Sequence, residues 1–324
     1  MGFTPDYTLK ILPETDFAEC MAAVSQKMNA CRREGFFNSW DGRPLFYEYF
    51  LAENSIGSVV IVHGCSEFTK KFHETAWYFL NQGYNVFLYD QRGHGFSFRM
   101  AEPVQLVHVE SFLDYVEDLA CFIRQVVQPV AQNPLYLYSH SMGGAVAALL
   151  LARNEFPVKR AVFSAPMILP VVYKVPTWLA RLAIGVMGRT QGWEKKIWVS
   201  GEFDPHREFR QDRDACQARY TYYLHLRRDE VRYQSTPLSL NWNREAFRVC
   251  RRLMRSAGKI TTPSLILSAE NDRVVRNDYQ RKFAKKHPDC KLVTLPGATH
   301  AMQAGTNETL KAHVSMTLEF FAQP

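Results

Sequence analysis

Short apolar runs alternate with longer segments of helical period along most of the chain. Ser58 to Val62, Asn85 to Tyr89, Leu135 to Ser139, Arg160 to Ser164, Ser264 to Ser268 and Lys291 to Leu295 read as buried strands. Each is short, and most are rich in Val, Ile, Leu and Tyr. Helical patterns fill most of the gaps. Phe112 to Val127 is the clearest, with Pro129 after it as a stop. Strands alternating with helices predict an α/β fold, a parallel sheet with crossover helices. Near the start, Thr15 to Arg33 reads as a helix with Asp16 and Glu19 as its capping box. Asp41-Gly42 then sits between two aromatic-rich runs, Phe36 to Phe50 overall, and predicts a hairpin.

The rhythm breaks from about Met167 to Glu245, where no buried strand is evident. Four prolines, Trp178, Trp193, Trp198, Trp242 and many arginines fall there. A regular crossover does not need so many residues. The stretch reads as an inserted, mostly helical lid. The expected division is a first core part over 1–166, a lid over 167–245 and a second core part over 246–324.

The strongest chemical feature is Tyr136-Leu137-Tyr138-Ser139-His140-Ser141-Met142-Gly143-Gly144-Ala145. A strand runs directly into small residues and then into an apolar helix from Val146. This is the setting of a nucleophile elbow, in which a tight turn pushes the Ser141 hydroxyl out of the sheet edge. Small neighbours are needed, because bulk at those positions would strike the following helix. Gly143 and Gly144 meet that need, whereas Ser139 stands where the motif has its first glycine.

A nucleophilic serine needs a base, and the base an orienting acid. Asp272 is the candidate acid, just past the strand ending at Ser268, and Glu270 is the runner-up. His300, after Leu295-Pro296-Gly297-Ala298-Thr299, is the candidate base. Two backbone N–H groups should bind the oxyanion, one from Met142 and one from Cys65 in the His63-Gly64-Cys65-Ser66 loop. The Cys65 side chain reads as a spectator. Asp90-Gln91-Arg92-Gly93-His94-Gly95 reads as a structural turn, with Asp90 and Arg92 paired to neighbours.

Composition narrows the classes further. The formal charge is 39 − 32 = +7, yet no Lys/Arg run has the density of a nucleic-acid-binding tail. The seven cysteines do not cluster at metal-ligand spacing, and the Walker lysine is absent. Neither metal nor cofactor is expected. Reduced thiols suit a cytosolic location. Met1 to Asp6 lacks the basic and apolar segments of a signal peptide, and Asp6 stands where a myristoylation motif at Gly2 wants Ser or Thr. The longest apolar runs are too short to span a membrane; Gly143 to Ala152 stops at Arg153.

Together, the His63-Gly64 loop, the Asp90 to Gly95 turn, the His140 to Gly144 elbow and the Asp272 and His300 loops resemble the monoacylglycerol lipase and bacterial lysophospholipase group of α/β-hydrolases. His108 to Leu119 and Arg219-Tyr220-Thr221-Tyr222-Tyr223 are nearest to the bacterial lysophospholipases. The likeness runs from about Phe36 onward and is loosest in the lid. It implies a mostly parallel sheet flanked by helices, with a single-chain lipid ester as the small-molecule partner. The apolar segment Pro176 to Met187 would line an acyl pocket or touch the inner face of a membrane. Arg219, Arg227, Arg228 and Arg232 would meet a lipid phosphate, or else form a solvated face with scattered salt bridges. A general carboxylesterase and a serine aminopeptidase remain alternatives. A non-catalytic binding protein is disfavoured, because residue types for all three catalytic roles are present.

Overall fold

The structure is a computed structural model and describes residues 9–131, 134–172, 175–211 and 215–324. The readings of Gly2 and Asp6 lie outside the described residues. Helix α1 (Phe17–Asn29) precedes the expected hairpin of β1 (Arg32–Asn38) and β2 (Pro44–Phe50). The chain continues through β3 (Gly57–Val62), α2 (His73–Asn81), β4 (Tyr84–Tyr89), α3 (Leu113–Phe122), β5 (Leu135–His140), α4 (Met142–Leu151) and β6 (Val158–Ser164). Helices α5 (Thr177–Gln191), α6 (Gln217–Asp229) and α7 (Leu240–Ser256) follow. The chain ends with β7 (Ser264–Ala269), α8 (Asn277–Lys286), β8 (Cys290–Leu295) and α9 (Asn307–Ala322).

The strands form one eight-stranded sheet in the order β1-β2-β4-β3-β5-β6-β7-β8. β1 pairs antiparallel with β2, and β2 with β4. Every pairing from β4 to β8 is parallel. β3, β4 and β5 are buried along their whole lengths, as their unbroken apolar character requires of strands covered on both faces. The carboxyl ends of β3, β5, β7 and β8 share one edge of the sheet, the edge where open α/β sheets bind ligands.

Local details depart from the sequence reading. The first helix stops at Asn29, because Arg32 and Arg33 are drawn into β1 opposite Phe50 and Tyr49. No capping box forms: Asp16 is left-handed at φ 54° and its side chain caps nothing. The helix expected through Val127 ends as α3 at Phe122 and closes in a single π-helical turn over Ile123–Val127. β8 is an edge strand rather than a buried one, with Lys291 and Thr294 exposed. Between β6 and β7 the described residues hold helices and no strand. The division expected at 245 falls inside α7.

Two buried arginines tie these parts together. Arg92 donates from Nε to Asp118 Oδ2 on α3 at 2.6 Å and from a terminal nitrogen to Asp41 in the hairpin turn at 3.1 Å. This is the pairing expected of the Asp90 to Gly95 turn. Asp90 likewise accepts from Thr69 N at 2.7 Å and Phe96 N at 2.9 Å. Arg219 on α6 is fully buried and grips Glu74 on α2 through two hydrogen bonds of 2.8 and 2.6 Å. It also donates to Gly305 O at 3.1 Å and lies over the Phe17 ring. Arg219→Met should therefore strand a buried carboxylate and cost about 3–5 kcal/mol. The double variant Glu74→Leu/Arg219→Met should recover most of that loss. Urea unfolding midpoints of the three proteins check both expectations.

Candidate active site

The elbow forms because three short contacts leave the chain no other path. Ser141 lies between β5 and α4 at φ 52°, ψ −117°, a region that L-residues avoid. Its amide donates to Ser164 O at 3.0 Å, and its carbonyl accepts from Met167 N at 2.8 Å and from Gly144 N at 3.0 Å. A Cβ on Gly143 would sit 2.1 Å from Val62 O and 2.6 Å from His63 O. One on Gly144 would meet Pro166 at 2.7 Å. The end of β3 and Pro166 therefore impose a steric demand for small residues here. At the first-glycine position the Ser139 hydroxyl fits, donating to Val162 O at 3.3 Å.

Three distant side chains meet at this edge. His300 Nε2 lies 2.9 Å from Ser141 Oγ, and His300 Nδ1 lies 2.8 Å from Asp272 Oδ2. The Asp272 side chain is fully enclosed. Its second oxygen accepts from Val274 N at 2.8 Å and Val275 N at 2.9 Å. The carboxylate is held by two amides, so only Oδ2 is left for the ring. A carboxylate can only accept, so Nδ1 carries the proton and Nε2 is free to accept from the serine hydroxyl. Glu270 is exposed and accepts from Gly297 N at 2.8 Å, away from the ring. With Asn271 N bonded to Ala298 O at 2.9 Å, it knits the acid loop to the histidine loop.

Of the two expected oxyanion amides, that of Met142 directly follows Ser141 in the chain. Met142 opens α4, where first-turn amides lack helical partners. Among the described residues no acceptor takes the Cys65 N–H. The neighbouring Gly64 packs so closely that a Cβ there would lie 3.0 Å from Ser141 Cβ. Burial pushes the Cys65 thiol up to about 12, which keeps it neutral.

A polar layer beneath the site went unread in the sequence. Glu67 Oε2 accepts from Gly64 N at 2.6 Å, fixing the loop that carries Cys65. Glu67 Oε1 accepts from Lys71 Nζ at 2.6 Å and Gln303 Nε2 at 3.2 Å. Burial is the largest single influence and would raise the Glu67 pKa, but Lys71, His140 and His63 together outweigh it and hold the carboxyl at about 2. His140 packs its ring 4.9 Å from that of His300. Burial pushes His140 down to about 4 against the pull of Glu67, so it is neutral at physiological pH. The only cues in the chain were a Glu-Lys pair four residues apart and a glutamine three residues beyond His300.

The arginines between β6 and β7 divide. Arg219 is committed to Glu74, and Arg232 is paired with Glu230 at 2.8 Å. Arg228 donates to Pro205 O. Arg227 borders a cleft beside His300. Among the described residues no three His, Cys, Asp or Glu side chains gather as a metal site.

The family described as serine aminopeptidase, S33, matches residues 53–307. The chain belongs to this family of α/β-hydrolases. Lysophospholipase L2 of Escherichia coli is 30% identical over 291 residues, covering 86% of this chain and 80% of its own. A monoacylglycerol lipase of Mycolicibacterium smegmatis is 27% identical over 166 residues, 49% of this chain and 58% of that one. The fold is shared with a soluble variant of monoglyceride lipase from Saccharomyces cerevisiae, solved with a substrate analogue. There the TM-score is 0.73 at 18% identity, over 89% of this chain and 94% of that one.

Burial pushes six histidines below the usual imidazole range: His63, His94, His108, His140, His287 and His313, with His140 at about 4 and His313 at about 3. Each ring binds its proton less readily folded than unfolded. The unfolded chain therefore takes up more protons between roughly pH 6.5 and 4, and stability is lost as the pH is lowered through that window. Urea unfolding at pH 5 should show less stability than at pH 7, and His313→Asn should flatten the slope by up to about 1.4 kcal/mol per pH unit.

Proposed function

We propose that this hydrolase cleaves the carboxylic ester of a single-chain lipid, a lysophospholipid or a monoacylglycerol, through an acyl-enzyme on Ser141. One observation carries the reading: a single imidazole, His300, is hydrogen-bonded to Ser141 Oγ on one side and to the enclosed Asp272 carboxylate on the other. His300 takes the hydroxyl proton as Ser141 attacks the ester carbonyl. Asp272 holds the tautomer and stabilises the imidazolium. The Met142 and Cys65 amides bind the oxyanion, each such donor contributing roughly 3–4 kcal/mol to the transition state. The alcohol leaves with the proton from His300, and water then releases the fatty acid by the same steps in reverse. The lipid substrate is favoured by the likeness to the Escherichia coli lysophospholipase over most of both chains.

Residues 167–245 serve in this reading as a lid over the site. On α5, Trp178, Leu182 and Val186 are more than half exposed, and Leu179 is 42% exposed. The adjoining α7 turns Arg251, Arg252 and Arg255 to solvent. Apolar side chains beside a cationic row suit peripheral contact with an anionic bilayer. No helix among the described residues is long and apolar enough to cross one. None of the seven cysteines is in a disulfide, which suits the cytoplasm and the inner membrane face.

The family's description also names an aminopeptidase. A peptide's ammonium terminus would face Lys71 and Arg227 in the cleft beside His300, a like-charge contact that weighs against that substrate.

Ser141→Ala should keep its thermal midpoint and lose turnover of a short p-nitrophenyl ester by about 10⁴-fold or more. Wild-type protein should be labelled by a fluorophosphonate probe, and the variant should not. Turnover by the variant at the wild-type rate would sink the assignment. Faster cleavage of aminoacyl anilides than of any ester in a chain-length series would favour the peptidase.

A further inference from the structure

A cleft of about 160 Å³ is lined by residues that adjoin the site in sequence. Its floor is Ser66, next to Cys65, with Thr299 and Ala301 on either side of His300. Its walls carry three cations, Lys71, Arg207 and Arg227. Asp204, the acidic member of the lining, is exposed and accepts from the His206 amide at 2.8 Å.

Arg227 is the informative residue. Its Nε donates to Tyr233 O at 3.1 Å, a terminal nitrogen donates to Thr236 Oγ1, and its guanidinium lies 4.5 Å from the Phe203 ring centre. All three partners are neutral. Among the described residues no carboxylate pairs with it, whereas the buried Arg92 and Arg219 each have one. Burial, with the like charge of Arg207 added, pulls Arg227 down to about 10. It remains a cation at pH 7, held against repulsion at some cost. Lys71 adds a second charge, shared with Glu67. Arg207 adds a third, over the Tyr220 ring.

We infer that this cleft is a subsite for a phosphate carried on the alcohol half of the ester, so that the enzyme selects lysophospholipids over monoacylglycerols. The inference rests on the proposed ester hydrolysis. In that reaction the leaving alcohol takes its proton from His300, so the alcohol half lies on the His300 side of Ser141. Thr299 and Ala301, which flank His300, line the cleft. A phosphate joined to the ester through glycerol would replace bulk water around Arg227 with charge-assisted hydrogen bonds, and guanidinium geometry matches two phosphate oxygens at once. A monoacylglycerol offers only hydroxyls there.

The full chain should bind inorganic phosphate and sn-glycerol 3-phosphate, read by calorimetry without any turnover, and Arg227→Gln should weaken both about tenfold or more. Glycerol should not compete. In parallel, kcat/KM is measured for a lysophosphatidic acid and a monoacylglycerol of one acyl chain. Arg227→Gln should lower the ratio of the two about tenfold through KM, and Arg227→Lys should restore part of it. No phosphate binding by the wild type would overturn the subsite. Phosphate binding with an unchanged substrate ratio would overturn its assignment to the head group, leaving a site for the free anion. Loss of turnover on both esters in wild-type protein would instead refute ester hydrolysis, while the calorimetry still decides whether an anion binds.

Discussion

The contact on which the rest depends is the one between the start of α4 and the end of β3. With no side chain at Gly143, the helix backbone closes onto Val62 O and His63 O. That approach brings the first turn of α4 beside the His63-Gly64-Cys65 loop. The same approach forces Ser141 into its unfavourable backbone angles. Hydrogen bonds from Ser141 to Ser164 and Met167 hold it there, so the strain is carried by the neighbouring strand and its loop rather than by the turn alone. Ser141, the helix start and the His63-Gly64-Cys65 loop are thus positioned by one packing event.

Beneath this edge the charges are balanced rather than excluded. Glu67 is ionised but compensated by Lys71, and its other oxygen serves the Gly64 amide. His140 stays neutral next to His300. In the proposed reaction a charged His140 would oppose the positive charge that His300 takes on, so a neutral His140 suits the site.

Much of this was legible in the chain. Runs of Val, Ile, Leu and Tyr located six of the eight strands, and the aromatic runs around Asp41-Gly42 located the hairpin that contributes the other two. Ser141, Asp272 and His300 stood out because each follows a strand. What escaped has physical causes. The end of α1 was misjudged because arginines favour helices locally, and only pairing with Phe50 and Tyr49 pulls Arg32 and Arg33 into a strand. β8 looked buried because an edge strand and an interior one can share a pattern of Val and Leu. Arg219 looked like a surface cation, since its partner Glu74 lies 145 residues away. Glu67 and Gln303 act through backbone geometry and each other, which leaves no periodicity to read.

The Arg219–Glu74 clamp bears on how a ligand could enter. Swinging α6 away would drag a paired guanidinium and carboxylate apart and leave both short of solvent, an expensive start to any motion. The same helix presents Tyr220, Tyr223 and Arg227 to the cleft. That side of the entrance therefore behaves as masonry rather than as a door. Helix α5 lies outside that clamp, and its apolar flank stands in the open.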